Sequence, residues 1–197
     1  MVSRWLYLGL VACVALERTV ELRLSRRNAV AAFAAGGREY GRSHWRAMQL
    51  LHTGFLIACP LEVFLLERTF HPGLGVPMLL ILGATMALRY WVVATLGERW
   101  NTRIIVVPHW IPASGGPYRW LRHPNYLAVV LELVALPLVH GAWITAIVAG
   151  ILDLAVLRSR IAAEEAALAA WPGYTQALSG RGWFLPRRPP RIVRKAP

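Results

Sequence analysis

Charge is scarce in this chain, and acidic charge is scarcest. Asp, Glu, Lys and Arg make up 16% of its 197 residues, against 56% hydrophobic side chains. A soluble domain carries roughly 25% charged residues, so a free-standing soluble fold is excluded and one integral membrane domain is expected. Cysteine is nearly absent as well. Cys13 and Cys59 both fall inside apolar runs, which reads as inert buried thiols rather than a disulfide, and no metal is expected. Missing too are a Gly-x-Gly-x-x-Gly fingerprint after a strand, a P-loop and a Gly-x-Ser-x-Gly elbow, which removes the usual soluble cofactor folds. There is no internal repeat and no low-complexity segment.

What is present is a series of apolar runs near 4 to 24, 45 to 66, 74 to 96, 124 to 139 and 142 to 157. Each approaches the roughly 20 helical residues that cross a hydrocarbon core. The expected fold is all-α: a polytopic integral membrane protein of about five transmembrane helices, residues 1–197 forming one domain. The first run continues into Glu17, Arg18 and Glu21 without a small-residue cleavage pattern, so it is expected to be retained. A short interfacial helix is expected over Asn28 to Ala35, ended by Gly36-Gly37, and a tight turn at His140-Gly141.

The basic residues set the orientation. Of 22, six lie in 23 to 46, four in 97 to 124 and eight in 158 to 197, while the opposite side has only Arg4 and Arg68. The positive-inside rule then places the N-terminus outside and the C-terminus in the cytoplasm. The net charge of +12 needs no nucleic acid to explain it; the tail from Arg187 to Lys195 suits anionic lipid headgroups.

Ionisable residues also enter the spans at similar depth: Glu17, Arg18 and Glu21 in the first, His52 in the second, Arg89 in the third, Glu132 in the fourth and Asp153 in the fifth. An intramembrane charge costs at least about 2.5 kcal/mol on insertion scales, so such groups pair, face the bundle interior and mark function. Taken singly, each could equally glue helices or snorkel. As a layer they point to a polar cavity open to the cytoplasm, with Arg89 and Glu132 a pair at equal depth. Glu62 falls outside the layer, and interfacial solvation after a kink at Pro60 would account for it.

The segment 97 to 123 holds a β-prone run from Ile104 to Val107, then turns through Pro108, Pro112, Gly115-Gly116 and Pro117. His123-Pro124 marks the start of the fourth helix. After the fifth span, a helix from Arg158 to Ala170 carries Arg160, Glu164 and Glu165 before Trp171-Pro172-Gly173-Tyr174 stops it. Arginines 119, 122 and 160, His123, paired carboxylates and aromatic rings suit a zwitterionic cofactor with an aromatic base or a sulfonium cation. An i, i+4 pair between Arg160 and Glu164 is an equally good account of that helix.

Gly-Pro-Tyr-Arg-x-x-Arg-His-Pro-x-Tyr at 116 to 126, followed by a hairpin and Arg160-Ile-Ala-Ala-Glu164-Glu165, with Tyr174 nine residues on, resembles the isoprenylcysteine carboxyl methyltransferase family. That family of integral membrane enzymes is related to the phospholipid methyltransferases. The resemblance covers about 97 to 178 and rests on two separated motifs in order. It implies S-adenosylmethionine in a cytoplasmic pocket and a lipophilic acceptor arriving from the bilayer. Position by position, it implies cofactor contacts from Val107, Pro108, Gly116, Tyr118, His123, Tyr126, Arg160, Glu164, Glu165 and Tyr174, with His123, Arg160 and Glu165 also in catalytic roles. The N-terminal part, with Glu17-Arg18, Glu21, Ser25-Arg26-Arg27-Asn28, Gly37 and His52, is more similar to a bacterial branch associated with type III polyketide synthases. This implies a plasma-membrane O-methyltransferase for phenolic or pyrone lipids.

In-line transfer to an acceptor oxygen asks mainly for alignment and desolvation. A phenol or enol acceptor would benefit from a base, for which His123, Glu17, Glu21 and Glu132 are candidates; His123 could instead simply open the helix and orient the loop. Alternatives are methylation of an isoprenylcysteine carboxylate or a phospholipid amine, and a non-catalytic scaffold or small transporter.

Overall fold

The computed structural model describes residues 1–108, 110–111, 113–169, 182 and 184. Five α-helices carry the fold: α1 Val2–Ala34, α2 Arg42–Leu65, α3 Pro72–Leu96, α4 Pro124–Leu138 and α5 Trp143–Ala169. They fall on the five apolar runs. Two stretches, Arg42–Leu65 and Pro72–Arg99, are long and apolar enough to cross a membrane. The helices alternate in direction, so one end of the bundle collects the short turns (the hairpin end) and the other collects the long connections (the loop end).

α1 differs from expectation. It runs unbroken for 33 residues instead of stopping near 24 before a separate short helix. Nothing between Arg23 and Ala34 breaks a helix, and alanine and arginine favour one. It ends at Gly36, which takes φ +81, a conformation open to glycine. The β-prone run forms β2 (Ile104–Val106), as its composition suggests. Its antiparallel partner β1 (Arg38–Tyr40), with Arg38 opposite Val106 and Tyr40 opposite Ile104, carries no strand pattern of its own. Gly37 permits that pairing, because a Cβ there would lie 2.6 Å from the Ala32 carbonyl oxygen and 2.9 Å from Ile105 Cγ2.

The core and surface are inverted relative to a soluble bundle. Leu16, Val20, Leu50, Ile57, Leu80, Ile147 and Ile151 are exposed, whereas Glu132 and Asp153 are each 1% exposed. In water that distribution would lose hydrophobic stabilisation on every face; against hydrocarbon it costs nothing there. Inside, Tyr7, Val11, Phe55, Cys59, Val63, Leu133 and Leu136 pack together.

At the hairpin end Glu62 is buried, contrary to the solvated position expected for it. Its Oε1 accepts from Arg68 Nη2 at 2.8 Å and from the Ile144 backbone N–H at 3.1 Å, and its Oε2 from that of Thr145 at 2.6 Å. A helix N-terminus has unsatisfied N–H groups and a positive dipole end, so a carboxylate from α2 caps α5. α2 itself continues through Pro60.

Candidate functional site

The long connection after α3 is held against α1 by two side chains. Asn28 Nδ2 donates to the carbonyls of Gly97 at 3.1 Å and Trp100 at 2.8 Å. Ser25 Oγ lies 2.9 Å from Asn101 Oδ1 and 2.8 Å from Thr102 Oγ1, and it accepts from the Thr102 N–H at 3.0 Å. Neither residue had an assigned job in the sequence beyond a family likeness. Short-range polar spacing on a long helix carries no sign of what it will meet seventy residues later.

That clamp positions the Thr102 carbonyl, which accepts from Arg160 Nη2 at 2.6 Å. Arg160 Nε also donates to the Tyr126 hydroxyl at 3.0 Å, and the Tyr126 hydroxyl donates to Glu164. The expected alternative of an Arg160–Glu164 pair is therefore replaced by a chain through Tyr126, because the hydroxyl from α4 inserts between them. Beside it, His123 Nε2 lies 2.8 Å from Glu165 Oε1, Arg122 Nη1 lies 3.4 Å from Glu165 Oε2, and the His123 ring stacks on Tyr126 with centroids 5.4 Å apart. His123 stands immediately before α4, with Pro124 in the first turn, so the helix start fixes the ring. Nε2 facing a carboxylate carries the proton, which turns that nitrogen into a donor and away from a base role.

Gly116 has φ +51, and a Cβ there would sit 2.2 Å from Thr95 Oγ1. The loop therefore lies directly on the end of α3. Two clefts open around this assembly. The first has walls of β2 and the loop: Arg99, Arg103, Val107, Trp110, Tyr118, Arg122, His123 and Glu164 are among its lining residues, and it encloses about 930 Å³ including its open mouth. The second runs between the helices, past Leu22, Met48, Leu56 and Val129 with Arg18, Glu21, His52 and Arg89. A smaller pocket joins them, sharing Tyr118, Arg122, His123 and Glu164 with the first, and Trp100, Asn125, Tyr126 and Arg160 with the second. At this junction Arg122 Nε, Asn125 Oδ1 and Arg160 Nη1 are buried with no hydrogen-bond partner among the described residues. Buried orphan groups are costly and call for a partner.

Deeper in the second cavity the expected Arg89–Glu132 pair is made, at 2.5 Å. Arg18 and Glu21 pair, Arg18 also lies 3.1 Å from Glu17 and 3.6 Å from Glu132, and Arg89 lies 3.6 Å from Glu21. Glu17 and Glu132 do not line the cavity; they brace the arginines that do. Asp153, from the same expected layer, is buried apart from this cluster, with Oδ1 unpartnered among the described residues. Among the other expected cofactor residues, Val107 lines the first cleft, Pro108 and Gly116 shape its loop, and Glu165 sits behind His123 and Arg122. Tyr174 lies outside the described residues.

A helical bundle with an apolar exterior and two joined clefts at one end defines a membrane-type protein with a candidate small-molecule site. The model of the isoprenylcysteine carboxyl methyltransferase (ICMT) family matches residues 76–170, the stretch from α3 to the end of α5. The uncharacterized protein YpbQ of Bacillus subtilis is 34% identical over 162 residues, covering 81% of this chain and 94% of that protein. An uncharacterized protein of Haemophilus influenzae is 28% identical over 158 residues, covering 80% and 91%. The chain belongs to the ICMT family, a family of membrane methyltransferases.

Proposed function

We propose that this protein is an S-adenosylmethionine-dependent methyltransferase that moves a methyl group to an oxygen of a lipophilic acceptor, a phenolic or pyrone polyketide lipid, on the cytoplasmic side of the membrane. The observation that carries this reading is the junction: a loop-walled, arginine-lined cleft and an inter-helical, partly apolar cleft are joined by a small pocket that shares Arg122, His123 and Glu164 with the first and Tyr126 and Arg160 with the second. One cleft can hold a polar donor while the other holds an amphipathic acceptor, and transfer needs only that the two meet in line.

The residues of the first cleft fit the cofactor. Buried Arg122 Nε has no partner among the described residues and would meet a carboxylate, Glu164 would meet an ammonium, and Tyr118 and Trp110 offer faces to a base or sulfonium. When bound, the cofactor supplies an electrophilic methyl on a sulfonium. Arg160 orients the acceptor oxygen through Nη1, Tyr126 and His123 hold Glu164 and Glu165 in place, and the apolar helix faces exclude water.

Calorimetry with S-adenosylhomocysteine tests the reading at its base; wild-type protein that does not bind removes it. Labelled cofactor offered with an alkylresorcinol, an alkylpyrone, a farnesylcysteine and phosphatidylethanolamine then tests the acceptor. Label in the phospholipid or the farnesylcysteine alone keeps the enzyme and discards the polyketide acceptor.

A further inference from the structure

Resting on the methyltransferase reading, we propose that His52 is the base that removes the proton from a hydroxylic acceptor in the inter-helical cleft. His52 lies on α2 and lines that cleft with Met48, Gln49, Tyr126 and Arg160. Its Nδ1 is 2.9 Å from the Met48 carbonyl oxygen one turn back. A carbonyl can only accept, so Nδ1 carries the ring proton and Nε2 presents a bare lone pair. Nε2 makes no hydrogen bond among the described residues. His123 has Nε2 committed to Glu165 and Nδ1 4.0 Å from Glu164 Oε2. Both of its nitrogens face carboxylates, which leaves His52 as the histidine of the two arranged to take a proton from an acceptor.

The charges around it fit the same role. α1 contributes Glu17, Arg18 and Glu21, α3 contributes Arg89, α4 contributes Tyr126 and Glu132, and α5 contributes Arg160. Counting Arg160, three carboxylates face three arginines, so these groups carry no net charge and offer no surplus cation to an acceptor that enters as a carboxylate or phosphate. Arg160 Nη1, without a partner at the junction among the described residues, is left to steady the oxygen as its proton leaves. The acceptor class this selects is a neutral phenol or enol.

The step balances. Nε2 takes the hydroxyl proton, an oxygen lone pair forms the bond to the methyl carbon, and the electron pair of the broken carbon–sulfur bond stays on sulfur. One cation, the sulfonium, is consumed as another, the imidazolium, forms and later returns its proton to water.

The test uses the full chain in phospholipid nanodiscs with labelled S-adenosylmethionine, and pentadecylresorcinol, its ring-nitrated derivative and farnesylcysteine as acceptors. Wild type is expected to methylate the resorcinol, with kcat falling at low pH as Nε2 is protonated. His52→Gln is expected to keep its affinity for S-adenosylhomocysteine, to lose about 100-fold in kcat and the low-pH limb, and to recover on the nitrated ring, whose hydroxyl ionises without help. Turnover of His52→Gln within about threefold of wild type with an unchanged low-pH limb overturns the proposal, as does transfer to farnesylcysteine alone. Wild type gives a measurement independent of any variant: a low-pH limb that persists unchanged on the nitrated acceptor also overturns it. Cofactor-product binding with either of those failures leaves the methyltransferase reading standing; absence of that binding removes both.

Discussion

The two ends of the bundle each bury charge, and they do so differently. At the hairpin end Glu62 is closed: both carboxylate oxygens are used, by Arg68 and by two backbone N–H groups of α5. At the loop end Glu17, Arg18, Glu21, Arg89 and Glu132 share partners across three helices and still leave Glu17 Oε1, Glu21 Oε1, Arg18 Nε and Arg89 Nε without a partner among the described residues. A closed arrangement secures a helix end. An open one beside a cleft keeps capacity for something that binds.

Removing charge from each end sharpens that contrast. Glu132→Ala strips Arg89 and Arg18 of a shared buried carboxylate, and the expected loss is about 3–5 kcal/mol of stability, read from unfolding in mixed detergent micelles. A loss below about 1 kcal/mol, the range of a surface pair, would mean that the cluster is solvated and the contrast false.

Arg160→Ala acts on function more than on the fold. It removes the donor to Tyr126 and Thr102 and the free Nη1, and turnover is expected to fall roughly 100- to 1,000-fold. Unchanged cofactor affinity and turnover would show that the junction is not the site.

Next in size is Gly116→Ala, which combines positive φ with a contact against Thr95. About 2 kcal/mol is expected from the left-handed backbone and the clash, together with weaker S-adenosylhomocysteine binding by calorimetry. Smallest is Glu62→Gln, which keeps the shape of the cap and removes its charge: about 1 kcal/mol of stability by thermal melting, with kcat unaltered. A change in kcat there would couple the two ends and break the comparison.

Several parts of the site were legible before any coordinates. His123-Pro124 opens α4 and His140-Gly141 turns between α4 and α5 because proline and glycine restrict or free the backbone locally. The Arg89–Glu132 pair could be read because both stand at similar distances from their helix ends, and depth in a bundle follows from counting. Other parts depend on how the helices rotate about their axes. Ser25 and Asn28 reach the loop, Asp153 falls away from the ionic cluster, Tyr126 separates Arg160 from Glu164, and Glu62 finds α5. Counting along the chain contains none of that information.

The amino-acid pattern by itself determined a mostly helical chain with apolar runs and an internal polar layer; the two-stranded β1–β2 sheet departs from the all-α expectation. Hydrophobic run length, charge scarcity and breaker residues are one-dimensional properties, and local physics suffices to translate them. Only the tertiary structure decided that a small pocket beside Tyr126 and Arg160 joins the two clefts, that β1 pairs with β2, and that His52 lines the second cleft with Nδ1 on the Met48 carbonyl. Those outcomes arise from close packing, where one helix's rotation selects which side chains meet and a single carbonyl selects which histidine nitrogen keeps its proton.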